Sequence, residues 1–152
     1  MNQYPTIIPG LRSPYETVSG VVHFGRMLDK IRLNRDGKLP PGWVEAMGSP
    51  KGFDTRCCRF LKVDYDALKA ETLRGRSDEQ MFGWACSQGR TPSGEEIEIW
   101  NGFMMKLGWR DKTAERITFR LGEIGLPPGT VLTMFDFIDL DEGRPPRFSA
   151  SA

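Results

Sequence analysis

Histidine is nearly missing from this chain, and cysteine is scarce: one histidine and three cysteines stand among 152 residues. A structural zinc site usually draws its ligands from pairs of such residues roughly two to four positions apart. Cys57 and Cys58 are adjacent, Cys86 is remote and His23 stands alone, so that spacing is absent. The expectation is no metal and no cofactor, with the three cysteines as small buried apolar residues. An odd, low cysteine count also fits a reducing compartment better than a disulfide scaffold.

Charge of one sign is lacking too. Twenty-one basic residues face twenty acidic ones for a net charge of +1, which removes the electrostatic footprint of a general polyanion binder. No apolar run approaches the length of a membrane span, and residues 1–5 lack the basic-then-apolar pattern of a secretory leader. The expected setting is cytoplasmic, with no membrane and no nucleic acid as partner. A Walker loop, a Rossmann glycine pattern and a Gly-x-Ser-x-Gly elbow are all missing. Residues 77–108 could be drawn as a helix-turn-helix, but Glu95, Glu96 and Glu98 would then face phosphates where a recognition helix needs neutral or basic groups.

What is abundant is aromatic side chains and helix punctuation. Nine Phe, four Trp and three Tyr, with 39% hydrophobic and 27% charged residues, give a globular balance. Start and stop signals recur along the chain. Ser13, Pro14 and Glu16 form a capping box that predicts a first helix reaching about Asn34, with Val18, Val21, Val22, Gly25, Leu28 and Ile31 on one apolar arc. Residues 37–52 hold seven Gly or Pro in sixteen positions and predict a long loop, with at most one helical turn from Trp43 to Met47. Asp54, Asp64, Ser77, the Thr91-Pro92-Ser93 string, Asp111 or Thr113, and Thr130 each open a further segment; Gly75, Gly89, Gly108 and Gly125 close four of them. The predicted fold is all-α: a compact array of five to seven mostly short helices. An extended arm over 1–12 and a frayed tail over 144–152 flank one helical domain over 13–143.

Several strings together carry a resemblance: Leu11-Arg12-Ser13-Pro14, Gly25-Arg26-Met27-Leu28-Asp29-Lys30-Ile31-Arg32, Arg56-Cys57-Cys58, Glu96-Ile97-Glu98-Ile99-Trp100-Asn101 and Asp139-Leu140-Asp141-Glu142-Gly143-Arg144. The chain resembles a bacterial family catalogued as domain of unknown function 5069, over roughly residues 10–145. The resemblance implies a bacterial, cytoplasmic protein. It brings no activity, cofactor or catalytic residue with it.

Few residues invite a chemical role. His23 falls with Glu16, Ser19, Arg26 and Lys30 on the polar face of the predicted first helix; that face is either solvated or an anion-binding stripe. A cysteine nucleophile with His23 as base is a further arrangement that spacing alone does not place. Asp29 projects into the apolar arc and needs a cationic partner, for which Arg32, Arg56 and Arg59 are the candidates. Asp136, Asp139, Asp141 and Glu142 form an acidic cluster, read as a solvated face or as oxygen ligands for a divalent ion. Two functions fit. One is a non-enzymatic module that binds a protein partner or a second copy of itself. The other is a small-molecule or anion-binding protein, an enzyme included, with a cleft under the 37–52 loop lined by Arg26, Lys30, Trp43 and Arg56, and Asp29 nearby.

Overall fold

The computed structural model describes residues 4–148. The order along the chain is β1 (Thr17–Val18), β2 (Val21–Val22), α1 (Phe24–Arg35), α2 (Pro41–Ala46), α3 (Phe53–Leu61), α4 (Tyr65–Thr72), α5 (Asp78–Gln88), α6 (Gly94–Lys106), α7 (Ala114–Glu123) and α8 (Met134–Asp141). The fold is predominantly helical, with eight helices among the described residues, one more than the upper expectation, and a single two-stranded ribbon.

The main departure lies at the start. The helix predicted from Ser13 begins only at Phe24. The capping residues do meet: Ser13 N–H donates to Glu16 Oε2 at 3.1 Å, and Glu16 N–H to the Ser13 carbonyl at 3.1 Å. They close a turn rather than open a helix. Thr17, Val18, Val21 and Val22 are β-branched, and between them Ser19 and Gly20 both take positive φ, 50° and 84°. That pair of left-handed residues makes the tight hairpin connection whose twist suits antiparallel strands, pairing Thr17 with Val22 and Val18 with Val21. The hairpin delivers the chain to His23, which precedes α1 at φ 72°.

The later start signals hold. Asp64 Oδ2 accepts from Ala67 N–H at 2.9 Å, Ser77 and Gln80 form a reciprocal capping box, and Ser93 and Glu96 form another. The last helix is capped by Thr133 rather than Thr130. Asp54 does not cap α3. Gly52 holds that position, and Asp54 turns inward from the first turn.

Contacts gather the chain into two compact units. Among the described residues, 10–100 form one; 4–9 with 101–148 form the other. In the first, α1 packs against β1 and helices α2 to α5, and its core holds Phe24, Met27, Leu28, Leu61, Leu68 and Met81. In the second, α7 and α8 bury Ile117, Leu121 and Phe137. There Asp139 and Glu142 do not form a solvated acidic face. Both are buried, and Arg144 bridges them at 3.2 and 2.7 Å. Asp141 is buried with them.

Candidate functional site

The unusual chemistry lies at the entry to α1. His23 and Asp54 are each 1% exposed, and His23 Nε2 lies 2.8 Å from Asp54 Oδ1. The ammonium of Lys30, two turns along α1, reaches the same oxygen at 2.8 Å. One carboxylate oxygen therefore serves two donors from a neighbouring helix. The edge of His23 meets Phe53 with ring centroids 5.8 Å apart, which fixes the imidazole plane.

The charges can be assigned. Burial pushes the Asp54 carboxyl upward, but the Lys30 ammonium and the His23 N–H outweigh it and hold the group well below the usual carboxylate range. Burial drives the His23 pKa down, with Lys30 and Arg26 assisting and Asp54 opposing. An ionised Asp54 only accepts, so Nε2 carries the proton of a neutral imidazole and Nδ1 keeps a lone pair. Nδ1 has no hydrogen-bond partner among the described residues, and neither do Asp54 Oδ2 and the hydroxyl of Tyr65. Buried polar atoms are nearly always satisfied by protein or by ordered water, so each of these three atoms is a place where a water or a small polar molecule would be held. Tyr65 opens α4, and burial together with the Asp54 charge raises its pKa.

The 37–52 segment reaches this cluster through Tyr65. Gly48 stands at φ +66°, and a Cβ there would lie 2.6 Å from the Tyr65 ring. Only glycine lets the segment seat so closely. The segment's one helix, α2, buries none of its residues.

The candidate residues scatter over this unit. Lys30 is not on a solvated face; it is a core member of the cluster. Arg26 is 4% exposed and donates to the Arg12 carbonyl at 3.2 Å. Trp43 and Arg56 are half-buried on α2 and α3. Asp29 belongs to a separate network. Its main partner is Arg12, with Arg32 farther off at 3.8 Å; Asp78 then joins Arg12 and Arg32, each at 2.8 Å. Sequence reasoning read Asp54 as a helix cap rather than a site residue and passed over Tyr65. A signal for Asp54 was present: it shares the helical face of Cys57, Cys58 and Leu61, the same phase argument that singles out Asp29. Cys57 and Cys58 are buried, and burial disfavours the thiolate at both: it raises the Cys57 thiol well above its ordinary value and pushes Cys58 up to about 12.

The other unit holds a cavity of about 370 Å³, lined by Val131, Leu132, Leu140, Phe148 and the paired Asp139, Arg144 and Arg147. No described helix is long and apolar enough to cross a membrane.

Residues 8–144 match a family described as Domain of unknown function (DUF5069). The chain belongs to that family. The match spans both units and includes His23, Lys30, Asp54 and Tyr65. None of the curated proteins matches this DUF5069 chain.

Proposed function

We propose that this protein binds a small polar molecule at the His23–Asp54–Tyr65 cluster, with residues 37–52 as the cover. The observation that carries this is the trio of buried, unpartnered polar atoms His23 Nδ1, Asp54 Oδ2 and Tyr65 Oη. His23 is also held in left-handed backbone, a strained state that structures keep where a side chain must be aimed. Arg26 and Lys30 belong to the site as its internal counter-charges, and Trp43 rides on the cover. A bacterial cytoplasm suits it, since Cys57, Cys58 and Cys86 are all free thiols.

Binding there requires that a small molecule reach position 23 in the folded protein. His23→Gly supports such a test, because glycine adopts the φ of 72° without strain and leaves an imidazole-shaped hole. Added imidazole is expected to raise the Tm of His23→Gly and leave the parent unchanged. In parallel, diethyl pyrocarbonate should modify the one histidine of the parent protein faster than global unfolding permits. A folded variant indifferent to imidazole, with modification limited to unfolded chains, sinks the proposal.

A second reading rests on a different observation. Ile99 and Phe103, one turn apart on α6, are 65% and 50% exposed. Such a pair supports association with a second copy of the chain. Sedimentation velocity decides this: a monomer at all concentrations, unchanged by Ile99→Lys, removes it.

A further inference from the structure

The cluster at the entry to α1 differs from an anion site in which of its atoms are already used. Its cations are engaged. Lys30 Nζ lies on Asp54 Oδ1 at 2.8 Å, and the Arg26 guanidinium donates to the Arg12 carbonyl at 3.2 Å. What is left without a partner is of the other kind: the lone pair of His23 Nδ1, the second carboxylate oxygen of Asp54 and the Tyr65 hydroxyl. Two of these three can only accept in the charge state set by Lys30, and the third can do either. An anion placed here would meet two lone pairs and a carboxylate charge, with no spare cation to offset them.

We infer that the site takes a small hydrogen-bond donor, an alcohol or an amine rather than an anion, with His23 Nδ1 as the acceptor that orients it. This rests on the small-molecule site proposed above and names its ligand class. Asp54 does two jobs in it. Through Oδ1 it fixes the imidazole tautomer so that Nδ1 is the unprotonated nitrogen, and its charge turns anions away. Tyr65 supplies the one group able to donate back to a hydroxyl oxygen, so an alcohol can be matched there as well as an ammonium group. Lys30 keeps the carboxylate ionised, without which Nε2 and Nδ1 could exchange roles. His23 is a positioning acceptor and not a strong base, since burial and two nearby cations disfavour its protonated form.

One histidine in the whole chain makes the test direct. Nitrogen-15 NMR of the imidazole in the full-length protein reads the tautomer and the ligand response together. The free protein should show a protonated Nε2 and an unprotonated Nδ1 at neutral pH, and Asp54→Asn should disturb that tautomer. Titration with ethanol and with ethylamine should then move the Nδ1 resonance saturably, while formate and inorganic phosphate leave it in place. Tyr65→Phe, which keeps the ring, should weaken the ethanol response several-fold and spare that of ethylamine. A protonated Nδ1 in the free protein overturns the inference, as does a response to formate or phosphate without one to ethanol or ethylamine, or a resonance that none of the four compounds moves. If imidazole still occupies His23→Gly in any of those cases, the site stands and its ligand class is wrong. If imidazole also fails, the site itself is lost.

Discussion

Arg12 and Asp29, 17 positions apart, are locked by two parallel hydrogen bonds, Nε to Oδ2 at 2.7 Å and Nη2 to Oδ1 at 2.9 Å, and the Arg12 N–H adds a third at 3.1 Å. The pair ties the segment before β1 onto α1. Its geometry is the planar, two-pronged match that arginine makes with a carboxylate and lysine does not.

Asp29→Ala removes all three bonds and leaves a half-buried guanidinium between α1 and α5. The expected loss is about 1–3 kcal/mol, below that for a fully stranded buried charge because Asp78 still pairs with Arg12 at 2.8 Å. Arg12→Lys keeps the charge but not the fork and should cost about 1–2 kcal/mol. Urea melts of both variants check these losses.

Lys30→Ala should be costly as well, by about 3 kcal/mol or more, because Lys30 is 7% exposed and its loss leaves Asp54 buried without its ammonium. An exposed lysine on a helix face would change stability by under about 0.5 kcal/mol. Denaturant unfolding of the variant separates the two cases.

Acid should weaken the fold in two windows. The folded-state pKa of His23 is depressed, so the unfolded chain takes up a proton first, and stability falls as pH drops through the unfolded value near 6.5. Asp54 is also depressed, so its contribution is present above the ordinary carboxylate range and is lost as pH falls below it. Burial raises the Tyr65 hydroxyl and the Cys57 and Cys58 thiols, so none of these three ionises in either window. Chemical melts from pH 8 to pH 5 should show the first loss in the parent protein and a flatter profile in His23→Gln.

Gly48→Ala places a methyl group against the Tyr65 ring at a φ that alanine avoids. It should cost more than about 1 kcal/mol if the 37–52 segment stays seated. If the segment lifts instead, Trp43 fluorescence should shift to the red and amide exchange across 37–52 should quicken, with little change in global stability.

Thiol reagents should find Cys86 first. It is half-buried on α5, whereas Cys57 is 0% and Cys58 3% exposed, with the thiolate form strongly disfavoured by burial at both. One thiol reacting in the native protein and three under denaturant is the expected count in a chain with three cysteines. Faster labelling at Cys57 or Cys58 would show that α3 opens locally.

Local rules made much of the fold legible. Capping boxes at Ser77 and Ser93 act within a few residues, so their effect can be read from the chain itself. The Ser13 box misled because a β-branched run with Ser19-Gly20 at its centre competes for the same residues and wins. The site was less legible for a related reason. Helical phase marks Asp29 and Asp54 as inward-facing, but it does not say which cation answers each. Arg12 comes from the N-terminal side of the hairpin, and Lys30 meets Asp54 only because α1 and α3 pack together. Pairings between distant segments leave no periodic trace.

The left-handed backbone at His23 sets backbone comfort against side-chain chemistry at a single position. Glycine would relax the turn into α1, by about 1–2 kcal/mol in local strain, yet would strip Asp54 of its ring partner. Asparagine would ease the turn in part and keep only a short amide in place of the ring. Replacement at this position is therefore a sensitive gauge of what the protein needs: a version selected for robustness alone would drift toward glycine, and one still doing its work would keep the imidazole despite the strain.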